Sequence, residues 1–329
     1  MKKFVAGVIG LCLGIIAPVY AGDMPEKKAQ QTPVQQSDAQ QTKAQQARAE
    51  QIKFRVGVTQ IPMYTLATAL AYGSPVETVL VEKDGAGRWQ VPGGLTVLFW
   101  SGATLEPELG KQLAQTNQAA VSLIDAAGVH QLAKRTPVDW TGSNEDEDPH
   151  MESLGKGYGM VQTIRPEGAI DTYYWLDPLN AMAALEAITM VFQGLDQRNH
   201  WAYNANSDQI VQALWELDIR VNKLLHNVSN QPFVVLQDEF QYLEQRYKLT
   251  TVPAGGSAQD IVNKAKSRGA KCVVAAKPFD QQLKSVLDKA SLNSIVLDPA
   301  GQEMPKTTGG YFQWFGKMAS ELNSCMTRS

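Results

Sequence analysis

The apolar positions of residues 52–124 recur with the spacings of alternating strands and helices. Phe54, Val56 and Val58 alternate with polar or small residues, which is typical of a strand. The apolar run 95–100 lies between glycines and predicts a buried strand of a parallel sheet. Further strands are predicted at 76–81 and 120–124, and helices at 66–71 and 108–115. This alternation predicts an α/β layer with a parallel sheet.

Two helices are predicted in the middle of the chain. Pro178 favours a helix start because its missing N–H falls among donors that have no helical partner, so we expect a helix over 179–192. A second helix is predicted from about 204 to 226, since apolar residues fall three or four apart on one face: Ile210, Leu214, Leu217, Val221, Leu224 and Leu225. At about 35 Å it is long enough to run from one lobe to another.

The last hundred residues repeat the α/β rhythm. Strands are predicted at 232–236, 272–275 and 294–297, and helices at 240–247, 258–266, 281–289 and 311–325. Ser257 is expected to cap the helix that follows it, and Gly269 lies just past the end of that helix. The predicted fold class is therefore α/β, with two lobes that carry parallel sheets and a long helix that could cross from one lobe to the other.

The first residues of the chain predict export. Two lysines precede the uncharged apolar stretch 4–16, and small residues at 19 and 21 predict cleavage after Ala21. An uncleaved anchor is the alternative. Residues 22–51 are rich in Gln and lack apolar residues to bury, so we expect a disordered tether. The predicted organisation is a signal peptide at 1–21, a tether at 22–51, an N-terminal lobe at 52–200, a linking helix at 201–229 and a C-terminal lobe at 230–329.

Length and charge narrow the classes of function. With 329 residues the chain is longer than one small core usually organises, which agrees with two lobes. The formal net charge of −3 argues against a nucleic-acid-binding surface. The chain contains neither a G-x-S-x-G nor an H-E-x-x-H motif, and we do not expect an enzyme.

Two cysteines remain after removal of the predicted signal peptide, Cys272 and Cys325. In an oxidising periplasm an isolated pair is most simply a disulfide. Two unpaired thiols or a metal-binding pair are the alternatives, although no His or Cys flanks either residue.

Four segments carry a resemblance to a known family. They are 173–181 (YYWLDPLNA), 232–247 (PFVVLQDEFQYLEQRY), 269–275 (GAKCVVA) and 296–301 (VLDPAG). In order and spacing they resemble the zinc and manganese solute-binding proteins of ABC importers. The resemblance implies an α/β fold with two lobes joined by a long rigid helix. It also implies a monomeric periplasmic receptor that holds a divalent metal between the lobes and delivers it to a membrane permease. It implies zinc first, manganese next, no organic cofactor, and a disulfide between Cys272 and Cys325.

The resemblance implies a metal site at Tyr173, Gln237 and Asp298, where the family's ligands are largely replaced. The family has His at the position of Tyr173 and His or Glu at that of Gln237, while Asp298 matches a carboxylate ligand of manganese-type members. The loop 84–90, where a first-lobe His is expected, contains none. Because Zn²⁺ prefers imidazole, thiolate or carboxylate, this is a poor zinc set.

Two alternatives therefore stay open for the cleft. The chain could keep the scaffold without tight metal binding and act as an accessory protein. It could also bind another solute through Trp89, Tyr173 and Tyr174.

The four histidines are scattered at His130, His150, His200 and His226. Only His150 lies among acidic residues, which are Glu145, Asp146, Glu147, Asp148 and Glu152. A solvated acidic loop is the first interpretation of this segment, and a weak cation-collecting site is the second.

Overall fold

The computed structural model describes residues 54–135 and 168–328. The predicted signal peptide, the Gln-rich tether and the acidic loop with His150 lie outside these residues. The predicted lobe and linker bounds stay predictions, whereas the α/β class with two parallel sheets is confirmed.

The first lobe is built on a parallel sheet with the strand order β2-β1-β3-β4. Its strands are β1 (Phe54–Val58), β2 (Val76–Leu80), β3 (Val97–Trp100) and β4 (Ala120–Ser122), and its helices are α1 (Ile61–Leu70) and α2 (Pro107–Thr116). In the central pairings Val56 lies opposite Thr78 on β2 and Val97 on β3. Each predicted element is present, with ends that differ by a few residues.

The middle of the chain forms an antiparallel pair of helices, α3 (Pro178–Leu195) and α4 (His200–His226). α4 begins about four residues before its predicted start. Tyr203 explains the difference, because it is fully buried, packs on Phe192 at 5.5 Å between ring centroids and donates to Asp196. A tyrosine seven residues before Ile210 thus extends the same buried face.

α4 is the long helix that the sequence predicts. Its 27 residues span about 40 Å. It contacts α1 and α3 on the side of the first lobe.

The second lobe repeats the layout of the first, with the strand order β6-β5-β7-β8 and all pairings parallel. Its strands are β5 (Phe233–Val235), β6 (Thr251–Pro253), β7 (Cys272–Ala275) and β8 (Asn293–Val296), and its helices are α5 (Gln241–Tyr247), α6 (Ala258–Arg268), α7 (Gln281–Lys289) and α8 (Gly310–Thr327). α4 also contacts α5 and α8, so it touches both lobes.

β6 is the strand that the sequence pattern did not predict. It has three residues and ends in Pro253, which is tolerated because β6 lies at the edge of its sheet. The caps of α6 are as predicted, since the Ser257 hydroxyl accepts from the backbone N–H of Asp260 and Gly269 ends the helix at φ +70°. The disulfide between Cys272 on β7 and Cys325 on α8 is confirmed.

One contiguous apolar core joins the two lobes. It includes Phe99 of β3, Leu214 of α4, Phe233 of β5 and Phe315 of α8, all at most 2 % exposed. Because residues of both sheets and of α4 belong to this one core, the core fixes the position of one sheet relative to the other.

Candidate metal-binding site

Each sheet has a topological switch point, where the connections from two neighbouring strands run in opposite directions along the sheet. The switch point lies between β1 and β3 in the first sheet and between β5 and β7 in the second. In parallel α/β sheets ligands bind beside the carboxyl ends of the strands at such a point. At both switch points, a polar side chain forms hydrogen bonds to residues that follow neighbouring strands.

Glu106 ties the strand ends of the first lobe. It is 6 % exposed, and its Oε2 accepts from the Thr59 hydroxyl at 3.1 Å and from the Ser101 N–H at 2.8 Å. Its Oε1 accepts from the Gln60 amide at 2.6 Å. Burial raises the pKa of this carboxyl, and the hydrogen bond from the Ser101 N–H partly opposes that rise. Both oxygens are engaged by protein donors, so Glu106 has a structural role at this edge.

The loop where the family resemblance implies a first-lobe ligand is closed on itself. Asp84 accepts from the backbone N–H groups of Ala86 and Arg88, each at 2.9 Å, and the Arg88 N–H lowers the pKa of Asp84. Lys83 and Trp89 form an antiparallel bridge across the base of the loop. Asp84, the one carboxylate of the loop 84–90, therefore stabilises the turn through these hydrogen bonds.

Gln237 ties the strand ends of the second lobe, as Glu106 does in the first. It follows β5, and its Oε1 accepts from the N–H of Ala276, which follows β7, at 2.7 Å. The amide oxygen that would bind a cation is thus already hydrogen-bonded to the backbone.

Tyr173 lies at the same edge, just before a short 3₁₀ helix at Tyr174–Leu176. Its phenol donates to Oε2 of Glu239 at 2.9 Å, and its ring meets Trp175 edge-on with centroids 5.7 Å apart. Burial raises the pKa of Tyr173, and the negative charge of Glu239 and the hydrogen bond to it raise that pKa further. The charges of Asp171 and then Asp298 add smaller increases. The phenol is therefore protonated at neutral pH.

Asp298 follows β8 and is one of the residues that line a pocket of about 510 Å³ in the second lobe. Its Oδ2 accepts from the Glu303 N–H at 2.8 Å, and its backbone carbonyl accepts from the Trp314 indole at 2.9 Å. The loop after Asp298 packs closely against the first lobe at Gly301. Gly301 has φ +70°, and a Cβ there would come within 3.2 Å of Pro62 at the start of α1.

The structure therefore brings Tyr173, Gln237 and Asp298 to one edge of the second sheet, and it adds Glu239. The family resemblance does not mark Glu239, because it implies a ligand at position 237 instead. The available signal was the carboxylate pair at 238 and 239 directly after a predicted strand.

A buried ion-pair network lies next to this edge. Arg135 donates to Asp238 from Nε at 2.8 Å and to Glu244 from Nη1 at 2.7 Å, and the Thr251 hydroxyl donates to Glu244 at 3.1 Å. Burial disfavours the charged guanidinium, but the hydrogen bonds to Glu244 and Asp238 outweigh it and raise the pKa of Arg135. Asp171, at 3 % exposure, has its pKa raised to about 6, mainly by burial.

The described histidines do not meet at the site. His200 and His226 occupy the two ends of α4, and the backbone of His130 is hydrogen-bonded to Asn180. Within residues 54–135 and 168–328, no three His, Cys, Asp or Glu side chains are grouped to hold a metal ion. The proposed cation loop at 145–150 lies outside these residues. Tyr174, offered above as a contact for another solute, is fully buried.

None of the helices in the described part of the chain combines the length and apolar character needed to cross a membrane.

Residues 96–325 match the family described as zinc-uptake complex component A, periplasmic. The high-affinity zinc uptake system protein ZnuA of Brucella suis is 28% identical over 257 residues, which cover 70% of this chain and 77% of that protein.

Solved structures share the fold at low sequence identity. The metal-dependent lipoprotein YcdH of Bacillus subtilis superposes with a TM-score of 0.63 at 16% identity, covering 84% of this chain and 100% of that one. A crystal structure of ZnuA gives a TM-score of 0.61 at 16% identity, covering 83% and 99% of the two chains. These likenesses confirm an architecture of two lobes joined by a long helix.

Proposed function

Because the chain belongs to the periplasmic zinc-uptake component A family, we propose that it is the substrate-binding component of an ABC importer for a divalent metal ion, zinc foremost and manganese next. The family is one of transport components, not of enzymes. Its curated relatives are named for high-affinity zinc uptake, which supports zinc as the cargo.

The metal is captured between the lobes, beside Tyr173, Gln237 and Asp298. The observation that carries this proposal is the Asp298 carboxylate, which stands at a family ligand position and just beyond the carboxyl end of β8. Carboxylate oxygen is an accepted ligand of both Zn²⁺ and Mn²⁺.

The remaining assignments follow from the same family. The receptor works in the periplasm as a monomer and passes its ion to a permease in the inner membrane. It uses no organic cofactor and does not bind nucleic acid. The predicted signal peptide and the disulfide between Cys272 and Cys325 support an oxidising compartment.

A second candidate function is supported by the chemistry of the site. Because the described residues bring no three His, Cys, Asp or Glu side chains together to hold a metal ion, the chain could instead be a scaffold-retaining relative without tight metal binding, acting as an accessory protein. The two candidates differ in whether the mature protein binds one divalent ion.

Metal analysis and calorimetric Zn²⁺ and Mn²⁺ titration of the mature protein separate them. The receptor assignment predicts one saturable ion per chain and a weaker isotherm for Asp298→Ala. Asp288→Ala, an exposed aspartate paired with Lys284 on α7, is the matched control and should bind as the wild type does. The absence of a saturable isotherm for either metal would refute the receptor assignment.

A further inference from the structure

We propose that the free edge of β8 is a docking site for an extended, positively charged segment of another protein. The segment adds to the four-stranded second sheet as a further strand and places alternate side chains in a groove between β8 and α8. This inference concerns an interaction surface, and it does not rest on the assignment of the chain as a metal receptor.

The backbone of β8 has hydrogen-bonding groups that its own sheet does not use. β8 is an outer strand, and the N–H groups of Asn293 and Leu297 donate to carbonyls in and just before β7, each at 2.9 Å. Because parallel pairing uses alternate residues, the N–H and C=O groups of Ser294 and Val296 point away from β7. Among the described residues these groups have no hydrogen-bond partner. A strand beside β8 can therefore pair with them.

The other three edges of the two described sheets carry features that discourage such pairing. β6 ends in Pro253, which has no N–H to donate, and β4 has only three residues. β2 carries Glu77, which is paired with Arg55 of the neighbouring strand. β8 contains neither a proline nor a charged residue, and its Val296 is 42% exposed. Since natural sheets protect exposed edges with short strands, proline or charge, β8 is the edge that is open to a partner.

A groove runs along this edge, between β8 and α8. One cavity of about 230 Å³ lies beside residues 294–295, and a second of about 510 Å³ lies beside residues 296–298. Glu321 of α8 lines both cavities, so they adjoin at this residue and form one groove. Trp314 and Met318 of α8 add apolar surface to the larger cavity. Because side chains alternate along a strand, every second residue of an added segment faces this groove.

The charge of the larger cavity identifies the kind of segment that fits. Three carboxylates and one ammonium group line it, a formal excess of two negative charges: Asp298, Glu303, Glu321 and Lys317. Lysine or arginine on the added strand complements this charge, whereas acidic residues are repelled. A second copy of the chain, paired edge to edge, would bring two such grooves of the same sign together. The occupant is therefore a basic segment of a different protein.

The test is fluorescence anisotropy of the mature protein with a labelled peptide of about eight residues in which valine and lysine alternate. We expect saturable binding of this peptide. The same peptide with glutamate in place of lysine should bind at least about 10-fold more weakly, because its charge has the sign of the groove. The lysine peptide with N-methylated backbone nitrogens should lose at least about 10-fold as well, because it can no longer donate to β8.

Protein variants assign the binding to this edge. Val296→Lys places a positive charge on the edge and should weaken binding of the lysine peptide at least about 10-fold. Glu303→Gln removes one exposed carboxylate of the groove and should weaken it about 2–5-fold. Ile219→Lys is the matched control, because it adds the same charge at a 63% exposed apolar position of α4, and it should bind within about twofold of the wild type. Equal melting temperatures of the variants exclude misfolding as the cause of a loss.

Amide hydrogen exchange locates the bound peptide directly. Binding should slow the exchange of the Ser294 and Val296 N–H groups and leave that of α4 unchanged. No saturable binding at about 1 mM peptide, equal binding by Val296→Lys, or protection confined to other residues would overturn the proposal. A dimer of the mature protein that Val296→Lys dissociates would assign the edge to a second copy, and it would overturn the proposal as well.

Discussion

The replacement Arg135→Ala tests whether the buried network beside the site holds the two lobes together. Arg135 ends the described first-lobe segment and pairs with Asp238 and Glu244 of the second lobe. The side chains of Arg135 and Glu244 are 18% and 6% exposed, so water cannot replace the lost partner easily. After the replacement, Glu244 keeps the Thr251 hydroxyl as its donor.

The magnitude follows from this burial. Removing one partner of a buried ion pair costs about 3–5 kcal/mol, because the other charge is left uncompensated. For a chain of this size that corresponds to a melting temperature lower by about 10 °C. The penalty should be largest at neutral pH. It should shrink on acidification, because burial raises the pKa of Glu244 and the replacement removes the Arg135 hydrogen bond and charge that oppose this rise, so the Glu244 carboxyl takes up a proton as the pH falls.

Calorimetry and urea unfolding of the metal-free protein measure this loss. Arg55→Ala is the matched control, since its pair with Glu77 is about 40% exposed on both sides and should contribute less than about 1 kcal/mol. Equal losses below about 1 kcal/mol for both variants would refute the argument from burial.

Three further replacements have expected results that urea unfolding can measure. Asp171 has a folded pKa of about 6, so the native state binds more protons than the unfolded state between about pH 4 and 6, and stability falls as pH rises through that window. Asp171→Asn should therefore stabilise the protein by about 1–3 kcal/mol at pH 7 and by little at pH 4; equal effects at both would contradict the shift. Cys272→Ser should lower the free energy of unfolding by about 4 kcal/mol, since the bridge to Cys325 closes a 53-residue separation, and a loss below 1 kcal/mol would contradict this. Glu106→Gln should lower the free energy of unfolding by about 1–3 kcal/mol, because one of the three groups that donate to the Glu106 carboxylate then faces an amide NH₂. An unchanged urea midpoint would contradict the structural role of Glu106.

The fold was largely predictable because its signals are local. The alternation at 54–58, the apolar run at 95–100 and the cap at Ser257 each act within a few residues, and each predicts an element that the structure contains. β6 was missed because three residues ending in a proline are too short to show a period. The start of α4 was missed because its buried face there depends on one tyrosine, Tyr203.

The site was only partly predictable because its contacts are distant along the chain. The family resemblance implies Tyr173, Gln237 and Asp298 as site residues, but it does not reveal that the Ala276 N–H donates to Gln237. The contact between Tyr173 and Glu239 joins residues 66 positions apart, and only the folded chain reveals it. The Arg135 network spans more than 100 positions and is equally invisible in the sequence pattern.

Anomalous diffraction at the zinc absorption edge, from crystals of the mature protein grown with Zn²⁺, tests the central claim most directly. The account predicts one strong peak between the lobes, within bonding distance of the Asp298 carboxylate. A peak only elsewhere on the chain, or no peak at saturating Zn²⁺, would contradict a metal receptor that captures its ion at this edge.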